Sequence, residues 1–122
     1  MGSRDDVGSR TLANRNDVVI IRWIDLGFAD SVPNNSHRVF EIENRLIAIY
    51  DVQGTKYAIE DQCTHDGNPL SDGPIEGLEI ICARHGARFC LRTGAALSPP
   101  AYEPLSTFEV KIDNGRLLVA LD

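Results

Sequence analysis

Four side chains in the middle of this chain combine metal-binding chemistry with a defined spacing. Cys63 is followed after one residue by His65, and after sixteen intervening residues comes Cys82, followed after two residues by His85. Thiolate and imidazole together suit zinc or an iron–sulfur cluster, so donor chemistry alone leaves a structural zinc and a two-iron cluster open. The first pair lies in Cys63-Thr64-His65-Asp66-Gly67-Asn68-Pro69-Leu70, and the second in Cys82-Ala83-Arg84-His85-Gly86, followed by Ala87-Arg88-Phe89 and a Thr93-Gly94 turn. A zinc finger usually carries its second pair on one face of a helix, and Gly86 and Gly94 speak against a helix here. Both pairs read as loop ligands.

Short strands and turns must hold these loops. Val18 to Ile24 is a β-branched run ending in Trp23 and Ile24, with Trp23 expected in the core. Leu26 to Asn35 reads as an irregular connection, and His37 beyond it as a surface histidine. Arg38 to Glu43, Arg45 to Val52 and Lys56 to Glu60 form a three-strand meander joined by turns at Glu43-Asn44 and Gln53-Gly54, a platform from which the loop beginning at Asp61 departs. Ser71-Asp72-Gly73-Pro74 is a dense turn signal, with a helical turn expected near Ser71 to Ile75. Leu78 to Ile81 is a short apolar strand delivering Cys82. Phe89 to Leu91, Ala95 to Leu97 and Phe108 to Ile112 follow, then the Asp113-Asn114-Gly115 turn and a closing strand from Arg116 to Leu121. No stretch keeps a helical period for about three turns, so the fold class is all-β.

At 122 residues the length fits one domain, taken as 18–122, with residues 1–17 as a disordered tail. The tail holds no apolar h-region and no adjacent arginine pair, and no apolar run reaches the ~20 residues of a membrane helix. A net charge of −6 speaks against a nucleic-acid partner, which calls for a concentrated basic face. Three cysteines, two of them assigned as ligands, leave Cys90 over, expected as a packing residue; the odd count favours a reducing cytoplasm.

The two ligand loops resemble those of the Rieske proteins, and Pro100-Ala101, Pro104-Leu105 and Phe108 together with Asn114-Gly115-Arg116-Leu117 extend the resemblance over roughly Val18 to Asp122. It implies the Rieske iron–sulfur fold: antiparallel sheets in a sandwich, with a cluster-binding subdomain at about 61–97 made of the two ligand loops, and beyond it a third, proline loop that shields the cluster. It also implies one [2Fe–2S] cluster, with Cys63 and Cys82 on a buried iron and His65 and His85 on the iron nearer the surface. Replacing two thiolates by neutral imidazoles removes two negative charges, which raises the potential into a range of roughly −150 to +300 mV.

Departures from the family pattern refine that expectation. The Rieske proteins of cytochrome bc complexes join the loops by a disulfide at the positions held here by Asn68 and Arg84. The same subgroup has a Ser and a Tyr, at the positions of Ala87 and Phe89, whose hydroxyls donate to sulfur. Without them the reduced cluster is less stabilised, so a potential low in the Rieske range is expected. Ala83 stands where Pro is usual, which loosens the second loop.

The resemblance implies a Rieske-type ferredoxin, not itself an enzyme, carrying one electron from a flavin-dependent NAD(P)H reductase to a terminal oxygenase or similar acceptor; the oligomeric state is left open by the sequence, with a monomer favoured. A terminal oxygenase would need two further histidines for a mononuclear iron, and only His37 is left. Alternatives are a small subunit of a larger reductase, such as a nitrite reductase, and a zinc-stabilised binding module. Asp66, Asp72, Glu76 and Glu79 form an acidic rim around the first loop, a solvated surface or a dock for a basic partner.

Overall fold

The computed structural model describes residues 9–13, 18–64 and 67–121, with side chains from Ile20 onward. In chain order the strands are β1 (Ser9–Ala13), β2 (Val18–Phe28), β3 (His37–Ile42), β4 (Arg45–Val52), β5 (Thr55–Glu60), β6 (Ile75–Glu76), β7 (Glu79–Ile81), β8 (Arg88–Cys90), β9 (Thr107–Phe108), β10 (Val110–Asp113) and β11 (Arg116–Leu121). They form three antiparallel sheets, ordered β1-β2-β11-β10, β3-β4-β5-β9 and β6-β7-β8. The all-β expectation holds. The one helical element among the described residues is a 3-10 turn at Ala29–Ser31. None is long and apolar enough to cross a membrane. The helical turn expected near Ser71 to Ile75 is instead a non-helical turn, with the Gly73 N–H donating to the Leu70 carbonyl at 2.9 Å.

Where the sequence suggests one domain over 18–122, the contacts gather into two compact units, Met1–Ser31 with Phe108–Asp122 and Val32–Thr107. In the first, β11 is central and Leu117 to Leu121 are all buried. The expected tail is corrected at 9–13: β1 pairs with β2 from Ser9 opposite Arg22 to Ala13 opposite Val18. Backbone hydrogen bonding to an open strand edge needs no side-chain periodicity, so composition did not reveal it. The remaining tail positions lie outside the described residues.

β2 also runs further than its sequence suggests. Arg116 is opposite Phe28 and Leu118 opposite Asp25, so β2 carries one extra residue there. Gly27 takes φ +103°, and its N–H donates to Asp25 Oδ1 at 2.8 Å. This bulge lets the strand continue through Leu26, which reads locally as a loop. Trp23 is half-buried rather than a core residue, with Lys111 Nζ 4.2 Å from its ring centre.

In the second unit the expected meander is present. Its turns place Glu43 and Asn44 at φ 52° and 67°, and Gln53 and Gly54 at 52° and 89°. Two consecutive residues with positive φ match the right-handed twist of the flanking strands, so these two-residue turns set the register. β4 is buried from Ile47 to Asp51, and its Ala48 and Tyr50 join Ile59 of β5 in the core that contains the cysteines. His37 is exposed, as expected, and stacks on Tyr50 with ring centres 4.9 Å apart.

Candidate metal centre

β5 ends at Glu60, and the chain leaves the sheet at Asp61, whose N–H still donates to Leu46 O of β4 at 2.8 Å. The loop that follows closes on itself. The Cys63 N–H donates to Asn68 O at 2.7 Å, and the Gly67 N–H returns to Cys63 O at 2.7 Å. The second loop repeats the pattern: the Cys82 N–H donates to Ala87 O at 2.8 Å, and the Gly86 N–H to Cys82 O at 2.9 Å. Gly67 and Gly86 take φ 78° and 74°, a conformation that glycine reaches at little steric cost. Each loop is thus one turn in which a cysteine's N–H and C=O are held by residues five and four positions later. The spacing Cys-x-x-x-Gly, common to both loops, is its local sequence signal.

The turn divides the donors by depth. Cys63 and Cys82 are each 1% exposed and lie in one core with Leu70, Ile80, Ala87 and Phe89. His85 is exposed, three positions after its cysteine in the turn. His65, two positions after its own, lies outside the described residues with Asp66. None of the three cysteines is in a disulfide. Among the described residues no three or more His, Cys, Asp and Glu side chains gather around a single point. Two buried thiols in one core with an imidazole at the surface fit a two-iron cluster chemically, by donor type and depth.

Both loops are braced by their neighbours. Gly73, at the exit of the first, lies directly against the Ile81 carbonyl that leads into the second. Thr64 Oγ1 donates to Glu103 O at 2.7 Å, tying the first loop to the segment carrying Pro99, Pro100 and Pro104. Tyr102 beside it is 80% exposed and Leu97 48% exposed. Ala87 and Phe89 are both fully buried, so the positions that carry hydroxyls in the high-potential subgroup face packed surroundings without one. Glu76 and Glu79 of the expected acidic rim both pair with Arg88, at 2.9 and 3.1 Å.

In the sequence Asp61 marks only the place where the loop begins, yet among the described residues it is the most buried acid beside the site, 4% exposed. Its oxygens accept from Leu70 N, Ser71 N and Ser71 Oγ at 2.7, 2.8 and 2.7 Å. An acid followed nine and ten residues later by its donors leaves no periodic trace in the sequence.

Comparison with known proteins agrees with this geometry. Residues 22–109 match the family model described as the Rieske [2Fe-2S] domain. The ferredoxin component of the naphthalene 1,2-dioxygenase/salicylate 5-hydroxylase systems of a Ralstonia species is 37% identical over 100 residues, covering 82% of this chain and 96% of that protein. Among solved structures, a chain from the complex of reduced oxygenase and oxidized ferredoxin in carbazole 1,9a-dioxygenase superimposes with a TM-score of 0.73 at 34% identity, covering 80% of this chain and 92% of that one. The ferredoxin of Sphingomonas yanoikuyae B1 gives 0.74 at 29% identity, covering 81% and 98%.

Proposed function

The chain belongs to the Rieske [2Fe-2S] domain family, with one [2Fe–2S] cluster as its cofactor, and from that premise we propose that it is the ferredoxin of a Rieske oxygenase system. In this reading it is an electron carrier, not a catalyst, and passes one electron at a time to a terminal oxygenase. The observation that carries the reading is the division of donors by depth: Cys63 and Cys82 in the core, His85 at the surface. We assign Cys63, His65, Cys82 and His85 as the ligands, with the subdomain at about 61–97 as their frame. When bound, the cluster supplies a one-electron couple in the range of roughly −150 to +300 mV.

The chain's own residues do the rest. The two Cys-x-x-x-Gly turns fix the cysteine backbones, and the surrounding core of Leu70, Ile80, Ala87 and Phe89 excludes water from the thiolates. Exposed His85 offers a short path to a docked partner. Electron supply by a flavin-dependent NAD(P)H reductase and a cytoplasmic location, favoured by three unbridged cysteines, complete the proposal.

A potential low in the Rieske range follows from Ala87 and Phe89, which give no hydroxyl to sulfur. Iron and acid-labile sulfide analysis with an EPR spectrum of the reduced protein tests the cluster: two irons and two sulfides per chain are expected, and a colourless zinc protein would refute it. A redox titration of wild type against Ala87→Ser tests the potential. A low wild-type midpoint, raised in the variant, is expected; a wild-type midpoint near the upper end of the range would overturn it. Reconstituting turnover with reductase and oxygenase tests the partners.

A further inference from the structure

The first ligand loop has a neck, and one side chain forms it. Asp61 precedes the loop and Ser71 follows it, and both Asp61 oxygens reach across: Oδ1 accepts from Leu70 N and Ser71 N at 2.7 and 2.8 Å, and Oδ2 from Ser71 Oγ at 2.7 Å. The Asp61 N–H donates to Leu46 O at 2.8 Å, which fixes the neck to β4. Cys63 lies between the two ends of this closure, two residues from Asp61.

The same carboxylate has an electrostatic consequence. It is 4% exposed, and among the described residues it makes no ion pair, in contrast to Asp51, whose Oδ2 lies 2.7 Å from Lys56 Nζ. Three donors spread its charge without cancelling it, and in a poorly polarisable interior such a charge acts strongly on its neighbours. An electron arriving beside Cys63, two residues away, adds a negative charge that this anion repels.

Resting on the cluster reading above, we propose that Asp61 is a positioning residue that closes the first ligand loop at its neck, and that its buried negative charge holds the cluster's potential down. Asp61→Asn separates the two roles. The amide oxygen still accepts from Leu70 and Ser71 N–H, the amide NH2 meets a Ser71 hydroxyl that can turn to accept, and the charge is gone.

In the loaded full-length protein, Asp61→Asn is expected to keep its iron, sulfide and EPR signature while the reduced-to-oxidised ratio at a fixed potential rises about tenfold, a midpoint about 59 mV higher for one electron. An unchanged or lower midpoint in the loaded variant overturns the proposal. Ser71→Ala keeps the charge and removes one bond of the neck, and it carries the test if the asparagine variant fails to fold. Its Cys63 and Gly67 amides are expected to exchange with deuterium about fivefold faster than in wild type, at an unchanged midpoint, the factor that about 1 kcal/mol of lost hydrogen bonding produces. Unchanged exchange overturns the proposal. A wild-type protein without iron and sulfide would instead overturn the cluster reading itself, so the two failures are told apart.

Discussion

Gly73 passes so close to Ile81 that a Cβ at Gly73 would overlap the Ile81 carbonyl oxygen. The two residues lie at the exit of the first ligand loop and the entrance to the second, and the Ile81 N–H donates to Pro74 O at 3.0 Å beside them. Neither backbone can retreat without dragging a ligand loop. Gly73→Ala is therefore expected to destabilise the protein by about 3 kcal/mol, the upper range for overpacking. A urea titration of the loaded protein checks this, and a midpoint equal to wild type would show that the crossing has slack.

Gly86 presents the opposite case. A Cβ there meets nothing within 4 Å, so its φ of 74° is the whole constraint. Gly86→Ala is expected to cost about 1–2 kcal/mol, and Gly86→Asn less, because asparagine enters the left-handed region more readily. Comparing the rates at which the two variants lose their visible absorbance on warming measures the difference.

Asp51, in β4, links acid stability to the connection before β3 and to the Gln53-Gly54 turn. Its side chain is fully buried, accepting from Asn35 N and Gly54 N at 3.0 and 2.9 Å and from Lys56 Nζ at 2.7 Å. Burial, the largest single influence, raises its pKa, but the Lys56 hydrogen bond, the two backbone bonds and the Lys56 charge together outweigh it and leave the group below its ordinary 3.8. A lowered folded pKa gives stability that is fully present above the unfolded pKa and is lost as pH falls through the folded value. The stability gap between wild type and Asp51→Asn is thus expected to stay constant from about pH 7 to pH 5 and to narrow below about pH 4. Chemical unfolding of both proteins across that range checks the sign.

Cys90 ends β8, half-buried, beside the Thr93-Gly94 turn. The Thr93 side-chain hydrogen bond is the strongest influence on it; partial burial opposes, and the backbone N–H groups of Thr93 and Arg92 and the Arg92 charge add to it, holding the pKa below its usual 9.0. In the loaded protein iodoacetamide is expected to label Cys90 before either proposed ligand cysteine, and Thr93→Ala to slow that labelling severalfold. Peptide mass spectrometry identifies the site. Cys90→Ala is expected to leave the iron content unchanged, in keeping with a packing role.

The sequence by itself determined whatever depends on a residue and its near neighbours. Glu43-Asn44, Gln53-Gly54 and Asn114-Gly115 announce three of the hairpin turns, because positive φ at consecutive positions is a local steric demand. Cys63, His65, Cys82 and His85 announce the donor set through type and spacing. Leu26 was less legible: its strand continues only because β11 supplies a partner and Gly27 absorbs an extra residue. Trp23 was misplaced because hydrophobicity does not tell which face of a strand a neighbour will cover.

Only the tertiary structure decided that Cys63 and Cys82, nineteen positions apart, share one core, that Gly73 is wedged on Ile81, and that Asp61 closes the loop through Leu70 and Ser71. The physical reason is common to all three. Turn geometry is paid for within a few residues, whereas burial and long-range hydrogen bonds depend on which backbones the strand pairings bring side by side, and no single residue carries that information.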